Sequence, residues 1–173
     1  MTISLTGFMG SGKSSVGKEL ASILGCPLLD LDAFIEDKFG ESIPDIFSRG
    51  GEKLFRELES AALKEVLSFC EEDSATTRIL SLGGGTPTIE ENATLIKEKT
   101  VCFYLKAGID TLVSNLENDS EGRPMLRGTD LRQRIISLMS EREDSYRGCA
   151  SHVIDIDGKP FKEVAEEIAS LLI

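Results

Sequence analysis

The chain has 173 residues, 40% hydrophobic and 28% charged, values that suit a globular protein with one well-buried core. Against 19 Lys and Arg stand 30 Asp and Glu, and the net charge of −11 repels polyanions, which argues against nucleic acid or an anionic membrane as partner. No apolar run approaches the ~20 residues of a membrane span, and no basic segment precedes the first apolar run, so neither a membrane helix nor a signal peptide is expected.

The first apolar run, Ile3–Thr6, reads as a strand, and Ser14–Leu24 reads as a helix with Val16, Leu20, Ile23 and Leu24 on one face. Between them Gly7-Phe8-Met9-Gly10-Ser11-Gly12-Lys13-Ser14 fits the G-x-x-x-x-G-K-[ST] phosphate loop. Its glycines let main-chain N–H groups converge on phosphate oxygens at a helix N-terminus. Gly10, Ser11, Gly12, Lys13, Ser14 and Ser15 are therefore expected to hold nucleotide phosphates, with Lys13 on the terminal phosphates and the Ser14 hydroxyl on Mg²⁺.

A second strand, Pro27–Asp30, leads into Asp30 and Asp32, read as two acids at the carboxyl end of a strand, where α/β sheets place their ligands. One acid near the metal and one near an attacking hydroxyl would divide the tasks of phosphoryl transfer, although a helix-capping role for Asp32 is the plain alternative. Residues 33–70 form a mostly helical insertion broken by Gly40, Pro44 and Gly50-Gly51. Its last helix carries an apolar stripe of Leu54, Leu58, Ala61, Ala62, Val66 and Phe69. Arg56 on that helix reads either as a ligand-binding group or as a partner of Glu52 or Glu59. The third strand, Arg78–Leu82, is followed by Gly83-Gly84-Gly85, whose N–H groups lie open to a close ligand.

The fourth strand is Thr100–Lys106. The polar stretch from 117 to 128, rich in Asn, Asp, Ser, Gly and Pro, reads as a mobile lid containing Arg123. A helix over Leu131–Tyr146 carries Arg142, a fifth strand spans Val153–Asp157, and Phe161, Val164, Ala165, Ile168, Ala169 and Leu172 mark a C-terminal amphipathic helix. Strands alternating with helices predict one α/β domain over 1–173, a five-stranded parallel sheet with helices on both faces. Cys26, Cys70, Cys102 and Cys149 are scattered without metal-site spacing and suit a reducing, cytoplasmic setting. His152, the single histidine, leaves no His-rich metal site.

Taken together, the segments GFMGSGKSSVGKELA, LLDLDAFIE, SIPDIF, GGEKLFRELE, ILSLGGGTP, FYLKAG, RPML and a late ER…Y resemble the shikimate kinase family of small phosphate-loop kinases over nearly the whole chain. The resemblance implies a three-layer fold with strand order 2-3-1-4-5, a helical substrate-binding insertion and a mobile lid. It implies transfer of the γ-phosphate of ATP to the 3-hydroxyl of shikimate, with Mg²⁺ as cofactor, by a cytoplasmic monomer. Carried over, Lys13 contacts the transferring phosphate, Ser14 binds Mg²⁺ and Asp30 holds the ion through water. Asp32 meets the acceptor hydroxyl. Arg56 and Arg142 clamp the acceptor carboxylate beside Gly83, Gly84 and Gly85, and Arg123 swings in with the lid onto ATP.

Two features depart from the family pattern. Its late motif E-R-x-P-L-Y here reads Glu141-Arg142-Glu143-Asp144-Ser145-Tyr146, without the proline and leucine and with Arg147 as a nearby rival to Arg142. The position of the adenine-stacking arginine matches Asn115, leaving Lys159, before Pro160, as a candidate adenine-side contact. Another kinase of the same fold with a gluconate-like or nucleotide acceptor, or a non-catalytic nucleotide-binding regulator, stays open at this point.

Overall fold

A computed structural model of the chain describes residues 1–117 and 130–173. Strand β1 (Thr2–Thr6) is buried along its whole length, as a strand covered on both faces must be. It lies at the centre of a five-stranded sheet of order β2-β3-β1-β4-β5, made with β2 (Leu28–Asp30), β3 (Arg78–Ser81), β4 (Val101–Lys106) and β5 (His152–Asp155). Every pairing is parallel, and Ile3 stands opposite both Ile79 and Val101. The strand order and the parallel sense match the expected architecture.

Neighbouring side chains on each strand feed opposite faces of the sheet. Ile3, Leu5, Ile79, Phe103 and Leu105 pack under α1 (Lys13–Leu24) and α7 (Phe161–Leu171), which contribute Val16, Leu20, Val164 and Ile168. Leu80, Leu82 and Cys102 face the other way, toward α3 (Ile43–Glu72) and Ile96 of α4 (Glu90–Lys99). The remaining helices are α2 (Leu31–Phe39), α5 (Ile109–Leu116) and α6 (Leu131–Cys149), and a single 3₁₀ turn spans Thr86–Thr88. Among the described residues, no helix is long and apolar enough to cross a membrane. Cys70, Cys102 and Cys149 are buried free thiols, Cys26 is half-buried, and exposed His152 stacks on Phe103 with ring centroids 5.0 Å apart.

Several local expectations are corrected. Helix α3 bends where Gly51 leaves helical geometry (φ 71°, ψ −168°), and beyond it the buried face is Phe55, Glu59, Ala62, Leu63, Val66, Leu67 and Cys70. Ala61 and Phe69 are therefore outside the core, and the exposed Phe69 ring lies against the Arg78 guanidinium at 5.2 Å. On α1, Ile23 is 43% exposed, because α7 and the sheet occupy only the face of Val16 and Leu20. Strand β2 stops at Asp30, whose carboxylate accepts the Ala33 N–H at 3.0 Å and caps α2 directly. Asp32 thus lies in the first turn of a helix, and the cap is Asp30. Of the expected lid over 117–128 only Glu117 is described, and Arg123 lies outside the described residues.

Candidate active site

The loop between β1 and α1 ends on Gly12, which caps the helix in the left-handed region (φ 89°) without any side-chain cap. The first N–H groups of α1 therefore stay available to a ligand, and the helix dipole favours an anion there. A side chain at Gly12 would meet the Phe161 ring at 2.6 Å, so glycine is required on two counts. Lys13 is nearly buried, and its Nζ donates to the carbonyls of Gly7 (2.8 Å) and Phe8 (3.1 Å), folded over its own loop. Ser14 Oγ donates to Asp30 Oδ2 at 3.1 Å. Asn115 of α5 donates through Nδ2 to the Gly10 carbonyl at 2.8 Å, bracing the loop from outside.

These groups line a cavity of about 360 Å³, with Gly10, Gly12, Ser15 and Phe161 along its wall and Met9, Asp32 and Gly84 at its inner end. Ser11 is fully buried beneath the loop. Lys159 is not among the lining residues; its ammonium pairs with Glu167 at 3.0 Å, which turns it along α7. Phe161, two residues further on, stands at the cavity wall instead.

A second cavity, about 240 Å³, opens from the same inner end and shares Met9, Asp32 and Gly84 with the first. Its walls are apolar at Ile43, Phe47 and Phe55, and its polar groups are Asp32, Glu36, Arg56, Glu59 and Arg142. The insertion supplies most of one side. Ser42 caps α3 by accepting the Asp45 N–H at 3.2 Å, and Glu36 of α2 accepts the Ile43 N–H at 2.9 Å, which ties the two helices at the cavity mouth. Gly83, Gly84 and Gly85 form the floor. A side chain at Gly83 would stand 3.0 Å from both Asp32 Oδ1 and Glu59 Oε2, and one at Gly85 would stand 2.3 Å from Arg56 Nη2.

Arg56 is held in place by Glu59, which is fully buried and accepts from Nη1 at 2.7 Å; Glu52 lies 3.5 Å from Nε at the exposed side. The second Glu59 oxygen accepts from Thr86 Oγ1 at 2.9 Å, so the carboxylate is bonded on both sides. Both plain expectations for Arg56 hold alongside its place at the cavity. Arg142 is 4% exposed and stands 5.8 Å from the Phe8 ring centroid. Among the described residues, its buried Nη1 has no hydrogen-bond partner. Arg147 points elsewhere, paired with Glu143 at 2.7 Å and 46% exposed, so Arg142 is the arginine of the cavity despite the altered motif around it.

Sequence reading missed three groups here. Glu59 was visible as a partner three residues from Arg56 but not as a buried one. Tyr146, four residues after Arg142, is fully buried and donates its hydroxyl to the Gly84 carbonyl. Asn115 was noted as a substitution, without the bond it makes to Gly10.

Chemically, an anion-binding loop and a pocket of small-molecule size that holds two guanidiniums, Arg56 and Arg142, meet at one carboxylate, Asp32. The cleft at the inner end suits transfer of a phosphoryl group from a nucleotide to an acceptor carrying its own negative charge.

Comparison with known proteins points to one family. A family model described as "Shikimate kinase" matches residues 9–173. The shikimate kinase of Dictyoglomus turgidum is 38% identical over 173 residues, spanning 99% of this chain and 96% of the relative. Among solved structures, shikimate kinase from Acinetobacter baumannii in complex with shikimate superposes with a TM-score of 0.91 at 32% identity, covering 99% of this chain and 92% of the other. Shikimate kinase from Bacteroides thetaiotaomicron gives a TM-score of 0.87 at 30% identity, covering 99% and 98%.

Proposed function

The chain belongs to the shikimate kinase family, and from that premise we propose that it transfers the γ-phosphate of ATP to the 3-hydroxyl of shikimate, giving shikimate 3-phosphate and ADP on the route to chorismate and the aromatic amino acids. The observation that carries the acceptor is Arg142. A guanidinium buried with an unsatisfied Nη1 is costly unless a ligand supplies the acceptor. A carboxylate lying between Arg142 and Arg56 answers that need, because planar guanidiniums bind carboxylates with directed, charge-assisted bonds.

Phosphoryl transfer passes through a loose transition state in which position and charge matter more than covalent chemistry. The N–H groups of Gly10, Ser11, Gly12, Lys13, Ser14 and Ser15 hold the ATP phosphates. Lys13 exchanges the Gly7 and Phe8 carbonyls for the γ-phosphate, trading neutral acceptors for a charged one. Asp32 accepts the hydrogen bond of the 3-hydroxyl and takes its proton as the new P–O bond forms. Arg56 and Arg142 fix the other end of the acceptor, with Gly83, Gly84 and Gly85 beneath it, so that the hydroxyl faces the phosphate. Arg123, from outside the described residues, adds positive charge to the transferring group.

Ser14 and Asp30, hydrogen-bonded at 3.1 Å beside the phosphate loop, form a hard oxygen pair that fits Mg²⁺, an ion that keeps several waters and few protein ligands. Among the described residues no larger carboxylate, His or Cys cluster competes for a metal. When bound, the ion neutralises phosphate charge and aligns the phosphates. Phe161 and Asn115 flank the nucleotide cavity on the adenine side in place of Lys159. The protein works as a cytoplasmic monomer.

The test is ADP release from Mg·ATP with shikimate, quinate, gluconate and nucleoside monophosphates as parallel acceptors. Stimulation by shikimate alone is the expected result. Stimulation by quinate or gluconate keeps the kinase and a carboxylate clamp but changes the acceptor. Stimulation by a nucleoside monophosphate keeps the kinase and removes the clamp, and silence with every acceptor leaves a nucleotide-binding regulator.

A further inference from the structure

Two tyrosines, the only ones in the chain, pack against each other with ring centroids 5.2 Å apart, yet their hydroxyls go to different places. Tyr104 of β4 donates to Glu143 Oε2, and Glu143 Oε1 accepts from Arg147 at 2.7 Å. That set fastens α6 to the sheet. Tyr146 donates to the Gly84 carbonyl, on the floor of the acceptor cavity.

The Tyr146 bond joins the two halves of the arginine clamp. Tyr146 lies four residues after Arg142, on the same face of α6. A Cβ on Gly84 would stand 3.7 Å from Arg142 Nη1, and one on the adjacent Gly85 would stand 2.3 Å from Arg56 Nη2. The glycine strip thus lies under both guanidiniums, and its height relative to α6 sets their spacing. All described peptide bonds are trans, so the Gly84 C=O and the Gly85 N–H point in opposite directions. Holding that carbonyl on Tyr146 turns the Gly85 N–H away from α6.

We propose that Tyr146 is a positioning residue for the acceptor carboxylate, fixing the glycine floor against α6 and thereby the spacing of Arg56 and Arg142. The inference rests on the proposed kinase reading. Burial pushes the Tyr146 phenol up to about 12, so it remains a donor at every working pH. The departure from the family motif at Asp144 and Ser145 leaves no proline between Arg142 and Tyr146, so α6 runs unbroken through both and holds them on one helical face.

The experiment compares Tyr146→Phe with Tyr104→Phe, using shikimate and its neutral carboxamide as acceptors. Tyr146→Phe is expected to raise the KM for shikimate about tenfold, the effect of one hydrogen bond, with kcat and the KM for ATP within about twofold. With the carboxamide, which lacks the charge the clamp reads, the same substitution should change KM less than about twofold. Tyr104→Phe should lower Tm and leave the shikimate KM in place. A rise of equal size for both acceptors, or an unchanged shikimate KM in a folded variant, overturns the proposal. A second readout leaves Tyr146 intact: in Tyr104→Phe labelled with 3-fluorotyrosine, the single ¹⁹F signal should move on adding shikimate and stay fixed on adding ADP. A signal indifferent to shikimate also overturns it. If the unmodified protein ignores shikimate altogether, the kinase reading has failed, and that result is separate from these.

Discussion

The two cavities meeting at Asp32 are built in opposite ways. The nucleotide side is built chiefly on one continuous stretch, Gly7 to Ser15, with Asp30, Asn115 and Phe161 set around it; its main-chain N–H groups are the principal donors, and even Lys13 is held by carbonyls of the same loop. The acceptor side is assembled from side chains on α2, α3 and α6 over a glycine floor after β3, and its charges are held by other charges, as Glu59 holds Arg56. A main-chain site depends first on backbone shape, with a neighbour such as Phe161 needed to complete its wall. A side-chain site depends on where three helices stand, so its affinity is exposed to substitutions that never touch the ligand.

That contrast can be broken or sharpened by five substitutions. The largest effect is expected at the junction: Asp32→Asn should lower kcat about 10³-fold with ATP affinity within about twofold, measured by steady-state assay and nucleotide titration, and near-normal turnover would remove Asp32 from any role at the hydroxyl. Arg142→Ala should raise the shikimate KM about 100-fold through loss of charge-assisted bonds, and Arg56→Ala should act in the same direction. An unchanged KM in either variant contradicts the clamp.

Glu59→Gln keeps the volume and the Thr86 bond but strands a nearly buried Arg56, so a stability loss of about 3 kcal/mol is expected, with a shikimate KM raised about tenfold. Chemical denaturation reads the first and kinetics the second; a variant as stable as the parent would mean that Arg56 is solvated well enough without Glu59. The smallest effect belongs to the nucleotide side. Asp157 accepts the Gly108 N–H at 3.0 Å and Thr111 Oγ1 at 2.7 Å, capping α5 from another segment. These bonds, the Gly108 N–H foremost, hold its carboxyl below the usual aspartate range. A lowered folded value means stability present above about pH 4 and lost as pH falls through that lowered value. Asp157→Asn should therefore cost about 1 kcal/mol at neutral pH and less in acid, and a difference that grows on acidification would reverse the assignment.

The same contrast explains what was legible in the sequence. The phosphate loop could be read directly because its chemistry lies in consecutive residues. The strand order came from family resemblance, and Arg142 kept its place although its motif had changed, since helical spacing around it was intact. One miss was local: Asp32 was read at the end of a strand or as a helix cap, whereas Asp30 caps the next helix through the Ala33 N–H. The others depended on contacts between distant segments. Phe69 matched a helical stripe, but whether a ring faces the core or an arginine depends on which element packs there. The burial of Glu59 and the bond from Tyr146 to Gly84 span 27 and 62 residues between partners, separations over which a single sequence carries no pattern.

The Phe161 ring lies where a side chain on Gly12 would be, and α7 packs along α1. Helices far apart in sequence therefore close one wall together. On the ribosome, the phosphate loop emerges well before α7 and meets its wall only once α7 has been made. Nucleotide cannot assist the earlier steps of folding through a finished pocket, and binding of ATP should report that α7 is in place. A stalled product lacking α7 should display the whole phosphate-loop motif and yet hold ATP poorly.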